Sequence, residues 1–336
     1  MRLLRRLFAQ HHGWTESSAR SRETVARVLA MNPRLKYARH YEEKLTRAVT
    51  SAHEYVDKLV ASLPSPHEAN ADAWSSDPLI RAMFATREDL ADAFSRSETL
   101  QTYFDREADQ AAAYAVLGMS MIERHVLGVA MEGNSIRHDV PQTTLCFSDH
   151  RVSICSNSEA SLRVEIGRRM IDQLALEGLA SLSTMQRNLA RQSRELIEER
   201  VALLEQQGTG MRAVIGASLL PAGSAEVERL QAQIDSNSAT LAALRVPGRL
   251  ADLEVKCVCD VMSSPSDHLF VASRRVRLDM MNVIQPAGVA AAHEIECYFA
   301  RVPGNPPITR TFALVRFPRK ELLPAGLRID LATRAI

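Results

Sequence analysis

The stretch "TTLCFSDHRVSIC", residues 143–155, places two cysteines, an aspartate and a histidine within ten positions. Residues of that kind at that density belong either to a metal or redox site or to a piece of sheet. Side-chain alternation separates the two. A two-residue turn at Asp149-His150 sets Ser148 opposite Arg151, Phe147 opposite Val152 and Thr144 opposite Cys155. Leu145, Phe147, Val152 and Ile154 then share one face, and Thr144, Cys146, Ser153 and Cys155 the other. A slip of one residue mixes the two sets, so the register is well specified. The cysteines become diagonal neighbours with Cα atoms roughly 7–8 Å apart, too far for an unstrained disulfide. His150 sits in the turn, away from both thiols. The stretch is expected to be a β-hairpin with no bound metal.

Before this hairpin the pattern is helical. Leu3, Leu4, Leu7 and Phe8 against Arg2, Arg5 and Arg6 make a short amphipathic start. A helix is expected over 21–31, stopped by Asn32-Pro33. Another is expected over 34–63, where Tyr41, Leu45, Val49, Ala52, Val56, Leu59 and Leu63 step by three and four up to Pro64. Asp77-Pro78, Thr86-x-x-Asp89 and Ser97 read as caps of three short helices. The last is expected to run past Phe104 to Leu117, with a switch to strand near Arg124.

After the hairpin, Ser156-x-x-Glu159 caps a long helix reaching about Gln207, with an apolar stripe of Leu182, Met185, Leu189, Leu196 and Leu203 broken by Gln192 and Glu199. Val227, Leu230, Ile234, Asn237, Leu241 and Leu244 then step 3-4-3-4-3, a heptad seam from the cap at Ser224 to the stop at Pro247-Gly248. Two helices joined by a connector form an antiparallel hairpin, and the narrow stripe suits a coiled-coil arm. From Ala251 the period changes to two. "DLEVKCVCDV" (252–261), "RRVRLDM", "EIECYF", "ITRTFALVRF" and "LRIDL" read as strands separated by Gly/Pro/Ser turns. The fold expected is α+β: a helical region over 1–123, a β-hairpin over 124–157, an inserted helical hairpin over 158–248 and an antiparallel sheet over 249–336.

Composition bounds the function. The chain has 336 residues, 46% apolar and 24% charged, with a net charge of +1. It can bury a real core, and no global field draws it to nucleic acid or membrane. No secretory h-region follows the basic start, and no window approaches ~18 apolar residues. Five irregularly spaced cysteines do not form a disulfide framework. A cytoplasmic protein without a transmembrane span is expected.

The motifs are weak. Cys257-Val-Cys259 lies among Leu and Val and reads as small apolar residues. "GTGMRA" (208–213) has the glycines of a dinucleotide fingerprint, but helix precedes it where the mechanism needs a strand. "HEIEC" at His293 lacks the second histidine of a zinc protease. No cofactor is expected. Two features stand above background. Val214, Ile215, Leu219 and Leu220 are apolar at the arm's tip, where a connector is normally polar. Arg275, Arg277, Arg310 and Arg316 make a basic strip on the sheet that suits phosphate, without the aromatics that single-stranded nucleic acid needs. The leading expectation is a non-enzymatic interaction protein whose arm binds itself or another protein. A nucleic-acid or anion-binding protein is the alternative. An enzyme with a dispersed site is the third.

Overall fold

The computed structural model describes residues 18–132, 135–206, 224–243, 247–286, 288, 292–302 and 307–323. The amphipathic start, the apolar tip (Val214, Ile215, Leu219, Leu220), the GTGMRA stretch, Leu244 and the LRIDL strand lie outside these residues. The chain is α+β and divides into two compact units, Met1–Tyr55 with Ile171–Pro265, and Val56–Met170 with Ser266–Ile336.

The first unit is helical. Helix α1 spans 18–31, and Asn32-Pro33 ends it as expected. A 3-10 turn follows at Pro33–Tyr37, capped by the Asn32 side chain. His40, at a φ of 53°, then separates this turn from α2, Tyr41–Ala61. The single helix expected over 34–63 is therefore broken in its second turn. Leu45, Val49 and Ala52 of α2 are buried, as their spacing demands. Thr24 Oγ1 lies 3.2 Å from His53 Nε2, a polar pair inside the apolar packing. Most of helix α7 (Glu159–Gln206) also belongs here, with α8 (Ser224–Ala243) and α9 (Pro247–Ser263).

Helix α9 overturns the expected strand over 252–261. Its alternating pattern also contains a helical one, for Ala251, Val255, Val258 and Met262, spaced by four, three and four, are buried, with Val261 beside them. Pro247, read as a stop, opens α9 instead. Proline suits the first helical turn because its missing N–H has no partner there.

The second unit holds the sheet. Its strands are β1 (His67–Glu68), β2 (Ala112–Glu132), β3 (Ser135–Ser156), β4 (Val271–Leu278), β5 (His293–Val302) and β6 (Ile308–Pro318). The order is β3-β2-β6-β5-β4, antiparallel throughout, with β1 added parallel to β6. Helices α3 (Ala71–Ser76), α4 (Pro78–Met83), α5 (Arg87–Ser95) and α6 (Glu98–Arg106) precede β2, and the four-residue α10 (Pro265–His268) precedes β4. The caps read from sequence are in place: Asp77 on the amides of Leu79 and Ile80, Thr86 and Asp89 as a reciprocal box, Ser97 on Leu100. One sheet face packs Leu117, Leu145, Val276, Ile295, Val315 and Phe317 against Ile80, Leu90, Phe94 and Phe104. The other packs Leu314 against Leu63, Leu162 and Ile166. Arg163 closes the carbonyl end of α2, donating to Val60 at 2.8 Å and Pro64 at 2.9 Å.

The expected turn at Asp149-His150 does not exist. Residues 135–156 are one strand, paired along its length with β2. Three register shifts interrupt this ladder, each with extra residues on β3, and Asp139, Asp149 and Ile154 there have φ values of 53–57°. The residues that read as a turn make a bulge, which uses the same left-handed backbone without reversing the chain. The separate bulge at Ile154 exchanges two faces: Cys155 joins the core with Leu145, Phe147 and Val152, while Ile154 packs on the opposite side. The expected helix past Phe104 likewise ends at Arg106, and β2 begins at Ala112, twelve residues before Arg124. Its early residues are held by β6, from Ala112 opposite Pro318 to Met119 opposite Thr311. No helix among the described residues is long and apolar enough to cross a membrane.

Gly178 of α7 tests the helical unit. A Cβ there would lie 2.5 Å from Val258 Cα and 3.1 Å from the Cys257 carbonyl. In an open helix Gly→Ala stabilises by about 1 kcal/mol. Here Gly178→Ala is expected to destabilise by about 1–3 kcal/mol, because backbone cannot yield as a side chain does. Urea unfolding of the two forms checks it, and equal or higher stability of the variant would contradict the close helix contact.

Candidate functional site

The distal part of α7 and α8 form the arm. Leu182, Leu189, Leu196 and Leu203 recur every seven residues on α7, and Gln186, Ser193 and Arg200 recur every seven between them. Leu182 is buried and the other six are half-buried. The seam of α7 is thus leucine at one heptad position and polar at the other. Met185, assigned to the stripe from sequence, is instead exposed. On α8, Leu230 and Ile234 are buried, and Val227, Asn237 and Leu241 half-buried.

Two consequences follow for the arm. The Ser193 hydroxyl and Arg200 Nε are buried with no hydrogen-bond partner among the described residues. Beside them a cavity of about 400 Å³ is lined by Gln192, Glu195, Leu196 and Glu199 of α7 and by Gln233, Ser236 and Asn237 of α8. Six of these seven residues are polar, so the helices lie side by side there around a polar gap. Gln192 and Glu199, which interrupt the stripe in sequence, line this gap with Asn237, which interrupts the other. Ile197 and Val201, one turn apart, remain about half exposed (48% and 50%). The seven-residue recurrence of Gln186, Ser193 and Arg200 was available in the sequence and marks this layer.

The basic strip is real as a placement. The registers put Arg275, Arg277, Arg310 and Arg316 on one sheet face. Carboxylates share that face. Arg275 lies 3.6 Å from Glu296, Arg310 donates to Asp149 at 2.8 Å, and Arg316 spans both oxygens of Glu68 at 2.9 and 3.0 Å. Hydrogen bonds from Arg151 and Arg310 hold the Asp149 carboxyl below its ordinary range. Acids therefore occupy the guanidinium edges that a phosphate would use.

A second cleft, of about 750 Å³, opens between α6, the end of β3 and the start of α7. Arg106, Arg169, Glu98, Glu107 and Glu165 surround it, and Tyr103 and Cys155 line it. Burial pushes the Cys155 thiol up to about 12, which removes it as a nucleophile. The other cysteines are free as well. Cys146 pairs with Ile122 and Cys155 with Ala115, so the two lie nine residues apart along one strand, roughly 25–30 Å. Cys257 and Cys259 ride on α9, and burial raises Cys259 to about 11. No cluster of three metal-ligating side chains occurs among the described residues.

One pairing escaped the sequence: His67 Nδ1 lies 2.6 Å from Asp77 Oδ2. Desolvation raises the Asp77 carboxyl, but the His67 hydrogen bond and charge, with the Leu79 and Ile80 amides, bring it below its ordinary value. A carboxylate orienting an imidazole is half of a nucleophilic triad. Among the described residues no serine, threonine or cysteine hydrogen-bonds to that imidazole. Asp77 also caps α4, so the pair ties β1 to that helix.

No protein-family model, curated protein or solved structure matches the chain.

Cys155 supplies a direct check of the cleft. At pH 8 a thiol of about 12 carries roughly a thousandfold less thiolate than an ordinary one. Alkylation of Cys155 by iodoacetamide, followed by peptide mass spectrometry, is expected to be negligible in the folded chain and complete after urea unfolding. Fast labelling of the folded chain would place Cys155 in a solvated, activated setting.

Proposed function

We propose that this chain is a non-enzymatic, cytoplasmic interaction or scaffold protein whose helical arm takes up a helix from another polypeptide, either a partner protein or a second copy. The observation that carries this reading is the polar heptad position of α7. The Ser193 hydroxyl and the Arg200 Nε are buried there without a hydrogen-bond partner among the described residues, on the helix that lines the polar gap. An unsatisfied buried polar group costs about 1–3 kcal/mol, and a charged one more. A two-helix seam that existed only to close itself would do better with leucine at both heptad positions. A third helix can offer acceptors to Arg200 and Ser193 and cover Ile197 and Val201 in the same contact. Coiled-coil seams use buried polar residues in this way, to fix register and partner at a cost in stability.

The anion-binding alternative has less support, because three of its four arginines already face carboxylates.

The test uses the exposed pair. Ile197→Asp with Val201→Asp removes the apolar contact without touching the internal seam, so thermal unfolding of the isolated chain is expected to move by less than about 0.5 kcal/mol. A photo-crosslinker at position 197 or 201, in cells expressing the full chain, is expected to give one reproducible adduct. The same probe at Val164, exposed elsewhere on α7, is expected to give none. Arg200→Leu is expected to stabilise the isolated chain and weaken the adduct. Absence of any adduct at 197 and 201, with an Arg200→Leu chain less stable than the parent, would contradict the reading.

A further inference from the structure

The β2–β3 ribbon outruns the sheet. β2 pairs with β6 only as far as Met119, and from Ser120 to Glu132 its only ladder partner among the described residues is β3. This overhang is roughly 40 Å long at ~3.3 Å per residue. A two-stranded ribbon is marginal by itself in water. This one also carries apolar side chains in solvent on both faces: Ile122 (49% exposed) and Val126 (42%) on one, Leu127 (69%) and Val129 (56%) on the other. Apolar residues on both faces do not suit docking of one face onto a flat surface. They suit extension of the ribbon sideways, by another strand.

The two edges of the overhang differ. Within the overhang β3 has an extra residue opposite Val129, and another at 149–150 where the overhang begins; such bulges twist an edge away from further pairing. Residues 282–284 also cover it near Thr143 and Leu145, where Leu145 N donates to the Asn282 carbonyl and Ile284 N to that of Thr143. β2 has no inserted residue over the same length, so its outer edge is regular. That edge is self-complementary. An antiparallel pairing of two copies across a two-fold axis at Gly128 sets Leu127 opposite Val129, Val126 opposite Ala130 and Arg124 opposite Glu132. Moving the axis to Val126 or Leu127 leaves Arg124 opposite Gly128 or Ala130, with no acid to meet. The axis residue itself is glycine, so no side chains meet on the dyad.

We propose that a second copy of this chain pairs along the outer edge of β2, antiparallel about Gly128, to make a four-stranded ribbon in a two-fold dimer. Each contact occurs twice by symmetry, which is the isologous arrangement most homodimers use. The backbone supplies the attraction, and the side-chain order sets the register. This goes beyond the arm: the ribbon joins two copies, and each copy keeps an arm for its partner.

A charge exchange on the full chain tests it. Sedimentation equilibrium is expected to find a reversible dimer. Arg124→Glu faces two carboxylates across both symmetry-related positions and is expected to weaken the dimer about tenfold. Arg124→Glu with Glu132→Arg restores opposite charges and is expected to return affinity to near the parent's. Leu127→Asp is expected to give monomer with unchanged circular dichroism, since Leu127 is exposed. The arm variant Ile197→Asp/Val201→Asp is expected to leave this dimer intact. A parent that is monomeric at every concentration would overturn the proposal. So would an exchange that fails to rescue, or a dimer that the arm variant alone splits.

Discussion

The eight-residue ladder between β2 and β6, Ala112 to Met119 against Thr311 to Pro318, is the interaction on which the sheet unit depends. Both of its faces are buried. Ala113, Ala115, Leu117 and Met119 with Ala313, Val315 and Phe317 build the core beneath the short helices, and Phe94 stacks on Phe317 at 4.6 Å. Tyr114, Val116, Phe312 and Leu314 build the smaller core on Leu162 and Ile166. A strand buried on both faces has no room for a charged residue, and β2 has none until Glu123. Where the ladder stops, the chemistry of β2 changes: Glu123, Arg124 and His125 appear, and Val126, Leu127 and Val129 are exposed.

That ladder also explains what was legible in the sequence. Caps at Asp77, Thr86 and Ser97 are local chemistry and were read correctly. The α+β class followed from the same patterns. The start of β2 was not legible, because Ala112 and Ala113 are good helix formers made into strand by residues some two hundred positions away. Asp149-His150 carries a true signal for left-handed backbone. Only the presence of β2 alongside decides between a turn and a bulge. Over 252–261 a short apolar run satisfied both periods, and the helix was selected by burial of Val255, Val258 and Met262 in the helical unit.

The candidate sites divide in the same way. The arginines of the strip share a face as their alternation implied, but the acids that meet them come from β1, β3 and β5 and were invisible to local reading. On the arm, the polar heptad position was legible as Gln186, Ser193 and Arg200. That the Ser193 hydroxyl and the Arg200 Nε would be buried without a partner was not, since that depends on where α8 lies. Among the described residues, burial raises the thiol that lines the cleft, Cys155, and the carboxylate paired with His67 also caps a helix.

The central claim is that the arm is incomplete by itself, and amide hydrogen exchange measures this most directly. Exchange rates for residues 186–203 and 227–241 of the full chain at low concentration are to be compared with those for 171–182, where Ile171, Leu174, Ala175 and Leu182 are buried. The account predicts that the arm opens orders of magnitude more readily than that reference segment, and that bound partner suppresses the difference. An arm as well protected as residues 171–182 in the isolated chain would mean that its seam is satisfied from within, and would contradict the account.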